Sequence, residues 1–193
     1  MRKKTNTSSA RKNRHSNLLR KVLVKNDSHL SEMLKSGENH FLLLLDEIQD
    51  PHNLGACIRT ADAAGVDAVV VPKKRAVSLT ETVRKIACGA AESMMFVQVV
   101  NLAETIRRLK KEGVRVVGTS DRAEKSLYEV DLTGPIAIVI GSEASGIRKL
   151  TGDICDTLVS IPMQGRVECL NASVAAGICM FEAVRQRIGD SKV

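Results

Sequence analysis

The chain has 193 residues, of which 44% are hydrophobic and 2% are aromatic, and its formal net charge is +7. This length suits a single domain with a short extension, and an aliphatic core is typical of layered α/β proteins. The scarcity of aromatic residues argues against RNA-binding modules that stack bases on aromatic side chains.

The N-terminal segment carries most of the positive charge. Residues 1–25 contain nine basic residues and no acidic residue, whereas residues 26–193 contain 20 basic and 22 acidic residues. Basic arms of this kind usually bind polyanions such as nucleic acid, and a merely solubilising tail is the alternative. We expect residues 1–40 to form a flexible basic arm and residues 41–193 to form the folded catalytic domain.

From Phe41 onward the chain alternates between continuous apolar runs and amphipathic segments. The apolar runs predict strands over 41–45, 68–71, 95–100, 114–118, 136–140 and 157–161. The amphipathic segments predict helices over 53–65, 80–88, 102–111 and 172–187. Strands alternating with helices predict an α/β fold in which helices cover both faces of a parallel sheet.

Five cysteines and four histidines lack the paired spacing of metal sites. The sequence therefore predicts no metal and favours reduced thiols in a cytoplasmic protein. The longest apolar run, residues 41–45, is far too short to cross a bilayer, and no apolar stretch follows the basic N-terminus. We therefore expect neither a membrane span nor a secretory signal.

Three segments follow predicted strands or begin predicted helices, where ligands bind in open α/β sheets. The first, residues 50–60, contains Asn53 and Arg59. Asn53 suits either a helix cap or a binding site. Arg59 lies in an otherwise small and apolar helix, so we expect it to face a site or a partner, with simple exposure as the alternative.

The second segment, residues 141–148, has two glycines separated by four residues, as in a phosphate-binding P-loop. Ile147 and Arg148 replace the Lys-Ser/Thr pair that a P-loop needs, and no GxGxxG follows a strand. Ordinary nucleotide-binding folds are therefore disfavoured. What remains is a turn with bare backbone amides and one carboxylate, Glu143, which a plain strand-to-helix turn explains equally well.

The third segment, residues 161–177, runs from a strand through a Pro/Gly loop into the last helix. Asn171 or Ser173 can cap that helix. The residues that follow are small, and we expect them to permit close approach of a ligand or of another subunit.

Taken together and in order, the three segments resemble the three motifs of the SpoU (TrmH) branch of the SPOUT RNA methyltransferases. The matching patterns are N-x5-R, G-S-E-A-S-G and I-P-M…L-N-A-S-V-A-A-G-I. The resemblance covers roughly residues 41–187. The wording DPHNLGACIRTADAAGV and VRKIACGAAE is most similar to the bacterial rRNA guanosine-2'-O-methyltransferases of the RlmB type.

The resemblance implies a parallel sheet with a C-terminal trefoil knot, S-adenosylmethionine bound within the knot, and a homodimer with the last helix at its interface. It implies transfer of a methyl group to a ribose 2'-hydroxyl of a guanosine in rRNA. A tRNA target, or a catalytically weak knotted RNA-binding or assembly factor, are the alternatives. By position, the implied cofactor-binding residues are Gly118, Thr119, Ile140, Gly141, Glu143, Gly146, Ile161, Met163 and Leu170.

The implied catalytic residues are Arg59 at the ribose hydroxyl, Asn53 positioning the substrate, and Glu143, Asn171 and Ser173 shaping the site. The family assigns the arginine the role of a base, although a guanidinium has a pKa above about 12. We expect Arg59 instead to stabilise the developing alkoxide and to hold the adjacent phosphate.

The chain departs from the family pattern in two respects. Cys169 stands where the family usually has serine, and a thiol is a weaker hydrogen-bond donor. Only about 40 residues precede Phe41, whereas RlmB-type enzymes carry an RNA-binding domain there. Either the chain is a fragment, or the basic arm binds RNA electrostatically with little sequence specificity.

Overall fold

A computed structural model describes residues 24–37 and 39–190. The strands are β1 (Phe41–Asp46), β2 (Ala68–Pro72), β3 (Met95–Val99), β4 (Arg115–Thr119), β5 (Lys125–Ser126), β6 (Ile136–Gly141) and β7 (Thr157–Ser160). The helices are α1 (Asp27–Leu34), α2 (Pro51–Ala63), α3 (Glu81–Ala87), α4 (Ala90–Ser93), α5 (Leu102–Lys111), α6 (Lys149–Ile154) and α7 (Ala172–Asp190), with a 3-10 turn at Leu127–Glu129.

The seven strands form one sheet in the order β3-β2-β1-β6-β4-β7-β5, and all neighbouring strands are parallel. The predicted parallel α/β sheet is confirmed. Because the strands are parallel, their carboxyl ends lie at one edge of the sheet. The segments that leave β1, β4, β6 and β7 therefore meet there.

Consecutive residues of β1 point to opposite faces of the sheet and are buried on both. Leu43 and Leu45 belong to a core formed with α2, α3 and α7. Leu42 and Leu44 belong to a second core formed with α1 and α5. Helices thus cover both faces, as predicted. Within the described ranges, no helix is long and apolar enough to cross a membrane.

Helix α1 corrects the prediction that all of residues 1–40 form an arm. Asn26 caps the helix, and Leu30 and Leu34 are buried against the sheet. Asp27 forms an ion pair of 2.6 Å with Arg108 of α5. The apolar spacing of residues 30–34 outweighs the polar composition around it, because burial of that face stabilises the helix. The predicted basic arm in residues 1–23 lies outside the described residues.

The start of α2 removes one of the two roles left open for Asn53, that of helix cap. Asp50 is the cap, and its carboxylate accepts a hydrogen bond of 2.9 Å from the backbone N–H of His52. Pro51 occupies the first helical position, where a missing N–H costs nothing. Asn53 therefore lies inside the helix with its side chain buried, and its amide is available for other contacts.

The small residues of α7 serve packing within the chain. Ala172 and Ala176 are buried in the core, and a Cβ at Gly177 would lie 3.6 Å from Thr60 Cγ2 of α2. These residues let α7 approach α2 closely. Ala175 and Gly177 are half-buried, and their expected close approach to a ligand or to another subunit stays a prediction.

Candidate active site

Three polar side chains from distant segments meet at the carboxyl edge of the sheet. Glu143 Oε1 accepts hydrogen bonds from Asn53 Nδ2 at 3.2 Å, from the backbone N–H of Ala172 at 3.1 Å, and from Asn171 Nδ2. Asn171 Nδ2 also donates to Asn53 Oδ1 at 2.8 Å. We call Asn53, Glu143 and Asn171 the carboxylate network. All three residues come from the predicted site.

Asn171 acts both as a helix cap and as a member of the network. Its Oδ1 accepts hydrogen bonds from the backbone N–H groups of Ser173 at 3.0 Å and Val174 at 3.3 Å, and from Ser173 Oγ at 2.6 Å. Its Nδ2 reaches Glu143. The Glu143 carboxylate therefore lies at the positive N-terminal end of α7, a favourable place for an anion. Ser173 supports the cap and does not contact Glu143 in this arrangement.

The loop that carries Glu143 is closed by its own backbone. Ser142 N donates to Gly146 O at 3.1 Å, and Gly146 N donates to Ser142 O at 2.9 Å. Gly146 has φ +64°, a conformation that favours glycine. A Cβ at Gly141 would lie 2.0 Å from the carbonyl carbon of Gly146. Both glycines are thus required by the turn.

We expect Gly141→Ala to destabilise the protein by about 1–3 kcal/mol, because the backbone of the turn must move to admit the methyl group. Denaturant unfolding measures the change. Gly152→Ala is the matched control, since a Cβ there would meet only Leu158 Cδ1 at 3.9 Å. Equal stability of the two variants would contradict the close contact at Gly141.

A buried ion pair that the sequence did not reveal fixes the other end of this loop. Asp46, at the end of β1, is fully buried and accepts hydrogen bonds from Arg148 Nε at 2.8 Å and from Arg148 N at 3.1 Å. Arg148 also lies 3.4 Å from Glu47. The hydrogen bond to Asp46 raises the pKa of Arg148. An acidic residue directly after a buried strand was the available sequence signal.

Arg59 is not part of the carboxylate network within one chain. Its Nη1 donates to Cys88 Sγ at 3.4 Å, and no contact with Asn53, Glu143 or Asn171 is found among the described residues. Arg59 lies six residues beyond Asn53, on another side of α2. It has no acidic partner in the described part of the chain, so most of its donors can bind another anion.

The residues predicted to bind a cofactor flank three neighbouring strands. Gly118 and Thr119 end β4, Ile140 and Gly141 end β6, and Ile161 follows β7. Because β4 lies between β6 and β7, these ends are adjacent. Thr119 Oγ1 joins two of them by donating to Val139 O at 3.2 Å.

Gly118 has a packing reason to be glycine. A Cβ at this position would lie 2.9–3.0 Å from side-chain atoms of Leu158, Cys155 and Ile147. These contacts come from protein atoms, so the missing side chain at residue 118 does not by itself indicate a ligand. Its backbone remains at the carboxyl edge.

The segment after β7 has an open backbone. Residues 162–169 are exposed, and none of them hydrogen-bonds to any other described residue. This segment includes Met163, which is 38% exposed, and Cys169. Ile161 and Leu170 at its two ends are half-buried. The segment thus combines unpaired backbone polar groups with apolar side chains.

The described residues contain no group of three or more His, Cys, Asp or Glu placed to bind a metal ion. Burial raises the pKa of the Cys57, Cys155 and Cys179 thiols to about 12. These three thiols are therefore poor nucleophiles and poor metal ligands at neutral pH.

The fold and the carboxylate network define the class of protein, and comparison with known proteins agrees. Residues 40–181 match the SpoU rRNA Methylase family, and the chain belongs to that family. The predicted SpoU membership is therefore confirmed.

Among its relatives, the 23S rRNA (guanosine-2'-O-)-methyltransferase RlmB of Shewanella oneidensis is 56% identical over 167 residues, covering 86% of this chain and 67% of that protein. The chain spans 67% of the length of that relative and 64% of the length of the RlmB of Ralstonia nicotianae.

Solved structures give the same result. The SpoU methyltransferase AviRb from Streptomyces viridochromogenes, in complex with AdoMet, has a TM-score of 0.74 and 31% identity, covering 79% of this chain and 62% of that chain. The A. aeolicus TrmH/SpoU tRNA modifying enzyme has a TM-score of 0.70 and 30% identity, covering 84% and 86%.

Proposed function

We propose that this chain transfers a methyl group from S-adenosylmethionine to the ribose 2'-hydroxyl of a guanosine in 23S rRNA. The observation that carries the proposal is the carboxylate network, which joins residues of the three family motifs at the carboxyl edge of the sheet. Relatives at 56% identity are named 23S rRNA methyltransferases, whereas the tRNA modifying enzyme is 30% identical. The higher identity favours rRNA, and an rRNA substrate supports a cytoplasmic location.

The chain's own residues fit S-adenosylmethionine. The unpaired backbone groups of residues 162–169 suit the hydrogen-bonding edge of an adenine ring, and the apolar side chains of Ile161, Met163 and Leu170 suit its faces. We assign the cofactor-binding site to the ends of β4, β6 and β7 and the loop after β6. These segments include Gly118, Thr119, Ile140, Gly141 and Gly146. When bound, this cofactor supplies a methyl group on a positively charged sulfur that leaves readily.

The carboxylate network holds the substrate side of the site. Glu143 Oε1 is occupied by three donors, whereas Oε2 accepts no hydrogen bond from the described residues. Because Glu143 is exposed, Oε2 can accept the hydrogen bond and then the proton of an incoming hydroxyl. Asn53 and Asn171 keep the carboxylate in place. Arg59 supplies positive charge to the developing alkoxide and to the neighbouring phosphate.

We propose that the enzyme is a homodimer that uses the outer face of α7. Val174, Phe181 and Ile188 recur every seven residues on this face and are 49%, 47% and 57% exposed. An apolar stripe of this kind is typical of a helix covered by a partner. α7 also packs against α2, which carries Arg59. We therefore propose that Arg59 of one copy completes the carboxylate network of the other.

Phe181→Glu is expected to weaken dimerisation at least about 100-fold, because it places a charge in the centre of the apolar stripe. Analytical ultracentrifugation measures the dissociation constant. Val100→Glu is the control, since Val100 is 87% exposed but lies beyond β3. Dimers of Phe181→Glu as tight as those of Val100→Glu would exclude this face as the interface.

We also propose that the C-terminal part is threaded as a trefoil knot. Strand β7 lies between β4 and β5, although residues 120–124 join β4 directly to β5. The chain must therefore cross β7 at this edge. Ordinary parallel connections do not cross in this way.

Methyl transfer to unmodified 23S rRNA tests the function. We expect the purified chain to transfer label from methyl-labelled S-adenosylmethionine and the label to appear as 2'-O-methylguanosine. Because a blocked 2'-hydroxyl prevents alkaline cleavage, the product is an alkali-resistant dinucleotide. Label in a methylated base, or transfer to tRNA in place of 23S rRNA, would contradict the proposal.

A further inference from the structure

The loop after β2 carries three consecutive cations, Lys73, Lys74 and Arg75, all of them exposed. β2 is parallel to β1 and paired with it, so this loop lies at the same edge of the sheet as the carboxylate network. We call residues 73–75 the basic loop. None of the three sequence motifs includes it.

Backbone hydrogen bonds hold the basic loop at its first residue and two residues beyond its last. Lys73 N donates to Val99 O at the end of β3 at 2.7 Å, and Val77 N donates to Ile48 O at 3.0 Å. Ile48 belongs to the segment that leads from β1 into α2. The loop therefore has a defined position relative to Asn53.

Two residues here adopt a left-handed backbone that non-glycine residues rarely use. Glu47 has φ +64° and Arg75 has φ +62°, and their side chains form an ion pair of 3.2 Å. Such conformations persist where the surroundings hold them, and they concentrate at binding and active sites. The strain points to a function for this loop beyond connecting β2 to α3.

The positive charge of the basic loop is not balanced locally. Asp46 is occupied by Arg148, and Glu47 is shared between Arg148 and Arg75. Lys73 and Lys74 have no acidic partner in the described ranges. Residues 26–193 carry more acidic than basic residues, so an uncompensated pair of ammonium groups beside the site differs from the rest of the domain.

We propose that Lys73 and Lys74 bind backbone phosphates of the substrate RNA beside the target nucleotide, and that Arg75 joins them by exchanging Glu47 for a phosphate. Ammonium groups bind phosphate without reading the base, so the basic loop adds affinity and position but no sequence preference. This inference rests on the proposed function, because it takes RNA as the substrate of this edge.

Salt-dependent binding of the 193-residue chain to unmodified 23S rRNA tests the inference. For Lys73→Ala/Lys74→Ala, we expect the slope of log affinity against log salt to fall by about 1.5, with affinity about 10- to 30-fold lower near 0.1 M salt. The KM for RNA should rise with kcat little changed. The matched control is Lys35→Ala/Lys111→Ala, which removes two exposed lysines near the amino edge of the sheet.

The outcomes separate this inference from the proposed function. If the wild-type chain methylates 23S rRNA but Lys73→Ala/Lys74→Ala retains the wild-type slope, or the control loses as much, the basic loop is not the phosphate-binding surface. If the wild-type chain binds RNA through the two lysines but transfers no methyl group, the function is wrong and the surface stands. Unchanged binding of S-adenosylmethionine by calorimetry shows that the variant is folded.

Discussion

Arg59→Ala is expected to lower kcat/KM for RNA by about 10²- to 10³-fold, the loss typical of removing one charged group that stabilises a developing anion. The affinity for S-adenosylmethionine should not change, because Arg59 is assigned to the ribose hydroxyl and the adjacent phosphate and not to the cofactor. Arg59→Lys should retain measurable activity, since it keeps the positive charge. Single-turnover methylation and calorimetry measure the two quantities.

The comparison of Arg59→Ala with Arg59→Lys separates two roles for the arginine, that of a base and that of a cation that stabilises the alkoxide. A cation that stabilises the alkoxide can be replaced in part by lysine, although the bidentate geometry is lost. Arg107→Ala, on α5, is the control, since Arg107 is an exposed arginine paired with Glu104 at 3.5 Å. If Arg59→Lys is as inactive as Arg59→Ala while RNA and cofactor still bind, the electrostatic role is wrong.

Heterodimers of Arg59→Ala and Glu143→Ala chains are expected to recover about half of the wild-type activity, although each parent homodimer is inactive. Glu143→Ala removes the acceptor of the Asn53, Asn171 and Ala172 donors and so disrupts the network. In the heterodimer, one site combines an intact network with an intact Arg59 from the other chain. Two affinity tags allow the heterodimer to be isolated.

A second heterodimer gives the opposite result if the arrangement is correct. A wild-type chain paired with a chain carrying both substitutions should be inactive, because each site then lacks either Arg59 or Glu143. If Arg59 served the network of its own chain, this second heterodimer would be half-active and the first would be inactive. That reversal would contradict the proposed dimer site.

Six of the seven strands were predictable from their apolar runs, and β1 is buried on both faces, as Leu42–Leu45 illustrates. Strand β5 was not predicted, because Lys125 and Ser126 are polar and give no apolar run. Helix α1 was missed because its apolar spacing at residues 30–34 is short and adjoins a basic segment. The sequence left Asn53 as either a helix cap or a site residue, and the structure removes the first role because Asp50 caps the helix and Pro51 begins it. Sequence rules do not reliably identify the N-cap when several polar residues near a helix start could each fill that position.

The site could be predicted only in part. Asn53 and Asn171 are 118 residues apart in sequence and 2.8 Å apart in space, and no local pattern encodes that contact. The resemblance to the family is what placed these two residues in one site. The Asp46–Arg148 ion pair has no motif and depends on the pairing of β1 with β6. Arg59 contacts Cys88 and not the carboxylate network within one chain, so its predicted role depends on the proposed dimer.

The most direct measurement is a map of ribose methylation across ribosomal and transfer RNA from cells with and without the gene. We predict that deletion removes a single 2'-O-methylguanosine from 23S rRNA, and that the wild-type chain restores it whereas Arg59→Ala and Glu143→Ala do not. An unchanged ribose methylation map, or a loss confined to tRNA, would contradict the account.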